Sequence, residues 1–508
     1  MSDVPLHGVF EAELRSAERF DKPLQQVEVR VQLTSPTGRR RTIEAFWDGG
    51  NVWRFRFSPD EPGTWTWHST CDQDEALAAQ GTIESLAGGM ARGPLRLSES
   101  RRHFAHADGT PFFFLADTAW NGAIKARPED WRQYLELRAR QGFTVIQFVC
   151  THWRAYMDEL AYEGERHVEP RPAFFQRMDA AVQAIADAGL RPAPVALWAH
   201  MKGDPGVELE EADIIRLTRY MIARWQAYDP IWMLAGDLRP GEGVGERWRN
   251  IGRAVLHDQP HVLATIHPCG QVTLNGEFDR EPWYSFRTYQ TGHGNSDEHR
   301  RWAVLGDPAR EWRHEPTLPS INLEPNYENH RAYGQHEHWH RDDDVRRASY
   351  WSLLVMPTAG VTYGNNGIWP WMDDAGPAPG HGDLPAQSWR EGLEPPGVGS
   401  MTVLRRLFDS LPWTELTPAR ELVNQPDDVD PRAFIAAAAT PDRRTVVAYL
   451  PVGGEAPFQP ELLPAPMRAT WVDPRDGTRQ VAGTVRDGGD AMRAPDDRDW
   501  VLLLEAEA

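Results

Sequence analysis

"PIWMLAGD", residues 230–237, runs apolar from Pro230 to Ala235 and then ends on Gly236 and Asp237. An uninterrupted apolar run of this length reads as a strand buried on both faces, as in parallel sheets. Asp after Gly is also a common turn pair. The acid therefore gains meaning only from what stands at equivalent places elsewhere.

Seven further runs share the pattern: "PFFFLAD" (111–117), "TVIQFVC" (144–150), "PAPVALW" (192–198), "VLATIHP" (262–268), "WYSFRTYQ" (283–290), "PSINLE" (319–324) and "GVTYG" (360–364). Their ends recur about every 35 residues. Amphipathic stretches such as "EDWRQYLELRARQGF" (129–143) and "FFQRMDAAVQAIADAGL" (174–190) lie between them, and "MTVLRRLFDSL" (401–411) follows the last. Eight buried strands, each followed by a crossover helix, predict a (β/α)8 TIM barrel. A doubly wound sheet is second choice, because no G-x-G-x-x-G follows the first strand. "GEGVGE" (241–246) lacks that spacing.

The flanks read differently. "VEVRVQL" (27–33), "VWRFRF" (52–57) and "TWTWHS" (64–69) alternate with period two between Pro/Gly turns. They predict a β-sandwich over 1–92, with "LAGGMARGP" (86–94) as linker. "RAFIAAAAT" (432–440), "TVVAYLPVG" (445–453), "ATWVDPRDG" (469–477) and "DWVLLLEA" (499–506) predict a small all-β domain over 415–508. The chain is thus expected to be multidomain, its barrel spanning 93–414. The sandwich is expected to pack rather than bind sugar.

Composition narrows the function. A net charge of −20 argues against nucleic acid and anionic membranes as partners. Three separated cysteines form no disulfide framework or zinc motif. No basic-then-apolar leader and no membrane-length apolar run are visible, which predicts a cytoplasmic protein. The 22 tryptophans favour carbohydrate, whose apolar C–H faces stack on indole rings.

Barrel chemistry sits at the C-terminal ends of the strands. Those ends carry Asp117, Trp120 and Asn121; His152 and Trp153; Trp198 and His200; Asp237; His267; Tyr289, Gln290 and His293; Glu324; and Asn365, Asn366 and Trp369. Acids, amides, histidines and tryptophans around one rim suit a sugar. Asp237 closes strand four and Glu324 strand seven, across the barrel mouth. Such a pair can cleave a glycosidic bond, one carboxyl as proton donor and the other as nucleophile. Gly236 then gives the chain room to turn into the pocket. No cofactor is needed.

"AFWDGGNVWRFRFSPDEPGTWTWHST" (45–70), "DGTPFFFLADTAWN" (108–121), "PIWMLAGD", "INLEPNYE" (321–328) and "VTYGNNGIW" (361–369) resemble motifs of the apiosidase-like glycoside hydrolases. The segment with "ATWVDPRDG" is similar to a C-terminal β-domain labelled as collagen-binding. The resemblance implies Asp237 as acid/base, Glu324 as nucleophile and a furanosidase acting on oligo- or polysaccharide side chains. Where many relatives carry a second acid after the strand-four Asp, this chain has Leu238.

The candidate substrate contacts are Asp117, Trp120, Asn121, His152, Trp153, Trp198, His200, His267, Gln290, Tyr327, Asn365 and Trp369. Asp117 reads equally well as a structural acid, and each histidine equally well as core or loop. Of the rim tryptophans, some stack on sugar and the rest pack. Glu328 reads as a surface or supporting acid. "HEHWH" (336–340) offers three alternating histidines but reads as a solvated loop, so no metal is assigned. A metal-dependent hydrolase using rim histidines and a non-catalytic carbohydrate- or protein-binding protein are the alternatives.

Overall fold

The computed structural model describes all residues except 1, 89–91, 258, 260, 275, 465, 486–491 and 508. Three residues of the predicted linker, 89–91, thus lie outside the described residues.

All eight predicted strands form: β1 (Phe114–Thr118), β2 (Val145–Val149), β3 (Arg191–Trp198), β4 (Ile231–Gly236), β5 (Leu263–Thr265), β6 (Arg287–Gln290), β7 (Ser320–Asn322) and β8 (Gly360–Gly364). Six of them make one parallel sheet in the order β5-β4-β3-β2-β1-β8, and β6 pairs with β7 in a second. The main sheet thus curves as part of a barrel. Every residue of β4 is buried, as its unbroken apolar run requires.

Helices α1 (Pro128–Arg140), α2 (Pro172–Asp187), α3 (Glu211–Trp225) and α4 (Val244–Leu256) follow β1 to β4. Helices α5 (Asp297–Leu305), α6 (Asp342–Leu354) and α7 (Pro396–Asp409) follow β6 to β8. Among the described residues no helix follows β5, contrary to the one-helix-per-strand expectation. The chain there forms the short strand Val272–Thr273, which pairs antiparallel with β6. "VLATIHPCGQVT" moves into turn residues after His267 and offers no helical period.

Before the barrel, a five-stranded and a three-stranded sheet face each other. Val31, Leu33, Phe55, Phe57, Trp65 and Ile83 fill the space between them. In Val52–Phe57 alternate residues are buried, which is the period-two pattern legible in the sequence. This unit is tied to the barrel by charge. Arg224 on α3 pairs with Asp179 on α2 at 2.6 Å and with Asp48 at 2.8 Å, and Arg56 joins Asp179 at 2.8 Å.

After the barrel, a six-stranded antiparallel sheet packs on α6 and α7. Tyr350 stacks on Tyr449 with ring centres 4.8 Å apart, and Arg346 pairs with Asp499 at 2.7 Å.

Candidate active site

Asp237 follows the last residue of β4 with φ +50°, a left-handed conformation uncommon for a side-chain-bearing residue. The turn is therefore made at Asp237. Gly236, expected to provide it, has a different role. A Cβ there would lie 2.4 Å from Cε3 of Trp198 and 2.8 Å from Val195 Cγ1. The glycine makes room for the Trp198 ring, which lines the pocket. Beyond the turn the chain stays bonded to the segment after β5, Leu238 N donating to His267 O at 2.9 Å, but the register shifts from Met233 opposite Thr265 to Leu238 opposite Pro268. Backbone held in a sparsely populated region is often found where a side chain must be aimed.

Glu324 follows β7 by two residues. Its carboxylate meets His293 Nε2 at 2.9 Å. The Tyr327 amide approaches His293 Nδ1 at 3.4 Å, which leaves Nε2 as the nitrogen that donates to Glu324. His267 stands between the two acids, Nδ1 3.7 Å from Asp237 Oδ1 and Nε2 3.5 Å from Glu324 Oε2. One polar atom from each of Asp237, His267 and Glu324 lies within 4.8 Å of the other two.

Burial dominates the charges. It raises Asp237 well above the carboxylate range, and the charge of Glu324 raises it further, while Arg154 pulls it down. Burial pushes Glu324 up to about 8, against lowering by the Tyr327 hydroxyl and Gln290 amide. His267, fully enclosed, is held down at about 4 and is neutral, so it does not compensate either acid. Two buried carboxyls this close share protons as a pair.

The pair opens into a cavity of about 510 Å³. Of the predicted contacts, Trp120, Trp153, Trp198, His200, Gln290, Tyr327 and Trp369 line it. The indoles of Trp153 and Trp198 lie 4.4 Å apart and those of Trp120 and Trp198 5.3 Å apart, so they form one aromatic wall. Gly364, at the end of β8, admits Tyr327, because a Cβ would lie 2.1 Å from that ring.

Asp117, Asn121, His152 and Asn365 do not line the cavity. Asp117 is fully buried behind β1, accepting from Tyr134 at 2.7 Å and pairing with Arg138 of α1. Asn121 accepts from Trp153 Nε1 at 2.8 Å and so fixes the aromatic wall. His152 Nδ1 accepts from Ala161 N at 3.0 Å, and Asn365 Oδ1 from Gly367 N at 2.7 Å. His267 touches both acids but is not on the cavity surface. Glu328, read as a surface or supporting acid, is 2% exposed and accepts from the Tyr363 hydroxyl and Gly397 N.

Asp117→Ala is accordingly expected to remove about 3–5 kcal/mol of stability by leaving the Arg138 guanidinium buried and uncompensated. Denaturant unfolding measures this; a sugar-contact role would instead raise KM at unchanged stability.

Arg154, His330, Tyr333 and His381 also line the cavity and were not singled out by the sequence. Arg154 directly follows the "HW" pair after β2, the only local signal for any of them. Its guanidinium binds Asp204 at 3.0 Å and lies over the Trp153 ring. His330 and Tyr333 come from the long loop before α6, where no periodicity points inward.

A family model described as "Apiosidase-like, catalytic domain" matches residues 98–415. A domain of unknown function, DUF5060, matches 3–72, and a model whose description names the collagen-binding domain of a collagenase matches 417–505. Among curated proteins none matches significantly. Among solved structures, a glycoside hydrolase family 5 protein from Bacteroides vulgatus ATCC 8482 is 21% identical, with TM-score 0.72 over 82% of this chain and 93% of its own. A second structure, described as a glycoside hydrolase, is 23% identical, with TM-score 0.69 over 82% and 97%. Another Bacteroides vulgatus ATCC 8482 protein is 17% identical, with TM-score 0.72 over 99% and 100%. At these identities the structural likeness speaks for the fold. No helix among the described residues is long and apolar enough to cross a membrane.

Proposed function

This chain belongs to the apiosidase-like family and is a glycoside hydrolase, and from that premise we propose a retaining, two-carboxylate mechanism on a furanosidic side chain. The observation that carries the reading is the Asp237–Glu324 pair, with carboxylate oxygens within 4.8 Å at the floor of the aromatic cavity. Retaining enzymes hold their carboxyls about 5–5.5 Å apart and inverting ones about 6.5–9.5 Å apart, to leave room for water.

In the first step a Glu324 oxygen attacks the anomeric carbon. The bond to the leaving oxygen breaks, and that oxygen takes the Asp237 proton. In the second step Asp237 removes a proton from water. The resulting hydroxide displaces Glu324, and the sugar leaves with its original configuration. His293 holds Glu324 in line by its donated hydrogen bond, and the neutral His267 sits between the acids without discharging them. The tryptophan wall is read as the platform for the sugar's apolar face. The remaining structural reading is a closed (β/α)8 barrel spanning 93–414 between domains 1–92 and 415–508. The bond from Ser285 N to Ala264 O, 2.8 Å, supports joining β5 to the sixth strand's segment.

Both carboxyls are raised, so the active form, Glu324 ionised and Asp237 protonated, is displaced upward in pH. The expected kcat/KM profile is a bell. Its acid limb, the loss of Glu324 ionisation, lies above the ordinary carboxylate range, and its alkaline limb is the loss of the Asp237 proton. An acid limb at the ordinary value would contradict this.

Proton NMR of the first-formed product anomer, on the most active member of a panel of aryl furanosides and pyranosides, tests the mechanism. Retention is expected; inversion overturns it, and activity on pyranosides alone overturns the furanosidase reading. Activity abolished by chelation and restored by zinc, with both acid variants still active, would favour a metal-dependent hydrolase.

A further inference from the structure

The "HEHWH" segment is only partly the solvated loop its sequence suggested. His336 and Glu337 are exposed, but His340 is completely buried and His338 half-buried. Both turn toward Asp344 in the first turn of α6. His338 Nε2 lies 2.8 Å and His340 Nδ1 3.7 Å from the same oxygen, Asp344 Oδ2.

The two ring nitrogens of His340 have different surroundings. Its Nε2 lies 2.9 Å from the carbonyl oxygen of His293, which only accepts, so Nε2 carries the hydrogen. Nδ1 has no hydrogen-bond partner and faces a carboxylate oxygen, which is rich in lone pairs. A buried ring nitrogen without a hydrogen-bond partner, set beside a carboxylate oxygen, is a place where a bound cation would satisfy both groups.

The surroundings complete a ligand set. Arg347 takes Asp344 Oδ1, leaving Oδ2 to face the histidines, with only the Arg341 amide at 3.2 Å as a further partner. A metal-bound imidazole characteristically donates its other N–H to a backbone carbonyl, and His340 does so to His293. The three ligand atoms lie within 4.8 Å of one another. We propose that His338 Nε2, His340 Nδ1 and Asp344 Oδ2 form a structural site for a divalent metal ion of the zinc type, with water completing the shell. On binding, the His338 proton moves to Nδ1 and Nε2 becomes a ligand.

The ion would pin the β7–α6 loop to α6. That loop carries His330 and Tyr333 on the cavity wall, and His340 anchors the backbone of His293. The role is structural, and it stands apart from the glycosidase mechanism.

The test uses the full chain, dialysed against a chelator and titrated with zinc chloride by calorimetry and with cobalt chloride by visible absorption. One equivalent per chain is expected, with d–d bands of a low-coordinate site and a thermal midpoint that climbs with zinc concentration. His338→Ala, at a half-exposed position that does not threaten the fold, is expected to abolish all three responses. Asp237→Asn and Glu324→Gln are expected to keep them. Absence of binding to the parent chain, or undiminished binding to His338→Ala, overturns the proposal. Loss of binding in Asp237→Asn and Glu324→Gln, with retention in His338→Ala, would place the ion between the catalytic acids instead.

Discussion

Glu324→Gln is expected to lower kcat by about 10⁴–10⁶-fold, the loss seen when a reacting group is removed and only binding and polar stabilisation remain. The amide keeps the shape of the side chain, and its oxygen can still accept from His293 Nε2, which now donates at 2.9 Å. Substrate affinity should therefore change little, and the loss should fall on kcat. Steady-state kinetics on the best aryl glycoside measures it. A loss confined to KM would mean that Glu324 binds the sugar rather than attacks it.

The same variant has a second signature, in stability. The Glu324 value is raised to about 8 in the folded chain, chiefly by burial, against about 4.3 in an unfolded one. The folded state therefore holds the proton more tightly. Its contribution is fully present below the unfolded value and is lost as pH rises toward about 8. Gln cannot ionise, so the variant is expected to melt above the parent at alkaline pH, with the gap closing as pH falls. Removing the Glu324 charge also removes the second cause of the raised Asp237 value, so the residual Asp237 titration moves down. On the proposed mechanism the nucleophile costs stability in the state in which it works, the usual compromise of an active site.

The sequence made the strand frame legible because buried parallel strands are almost wholly apolar, and an acid closing one is conspicuous. β4 and β7 announced Asp237 and Glu324 in this way. Asp117 was equally conspicuous and reads out differently, for a reason set by the pleat. Side chains alternate between the faces of a strand, so an acid within β1 can face the helix layer as readily as the barrel mouth. Asp117 faces α1, where Arg138 receives it. His152, Asn121 and Asn365 show the same limit on the loops: they lie at the rim in sequence but spend their polar atoms on neighbouring backbone or on Trp153. Arg154, His330, Tyr333 and His381 stayed hidden because loop conformation, not periodicity, brings them inward. That no helix follows β5 among the described residues was hidden by the regular strand spacing, which counts strands and says nothing of what connects them.

Asp237→Asn separates the two steps of the proposed reaction. Asparagine tolerates the left-handed conformation that Asp237 adopts at φ +50° better than most residues, so the turn is expected to survive. The amide cannot supply a proton, and a substrate whose leaving oxygen needs one should lose about 10²–10⁴-fold in kcat/KM, the usual worth of general acid catalysis. An aryl glycoside with a weakly basic leaving group needs little protonation and should form the glycosyl-enzyme at a rate much closer to that of the parent. Deglycosylation then lacks its base. The intermediate should accumulate as an ester on Glu324, visible as an added sugar mass on the peptide that contains that residue. Azide needs no base to attack, so it should restore turnover and release a glycosyl azide of retained configuration. An inverting enzyme would accumulate no ester, and the absence of both the mass shift and the azide rescue would remove Asp237 from the acid/base role and the retaining mechanism with it.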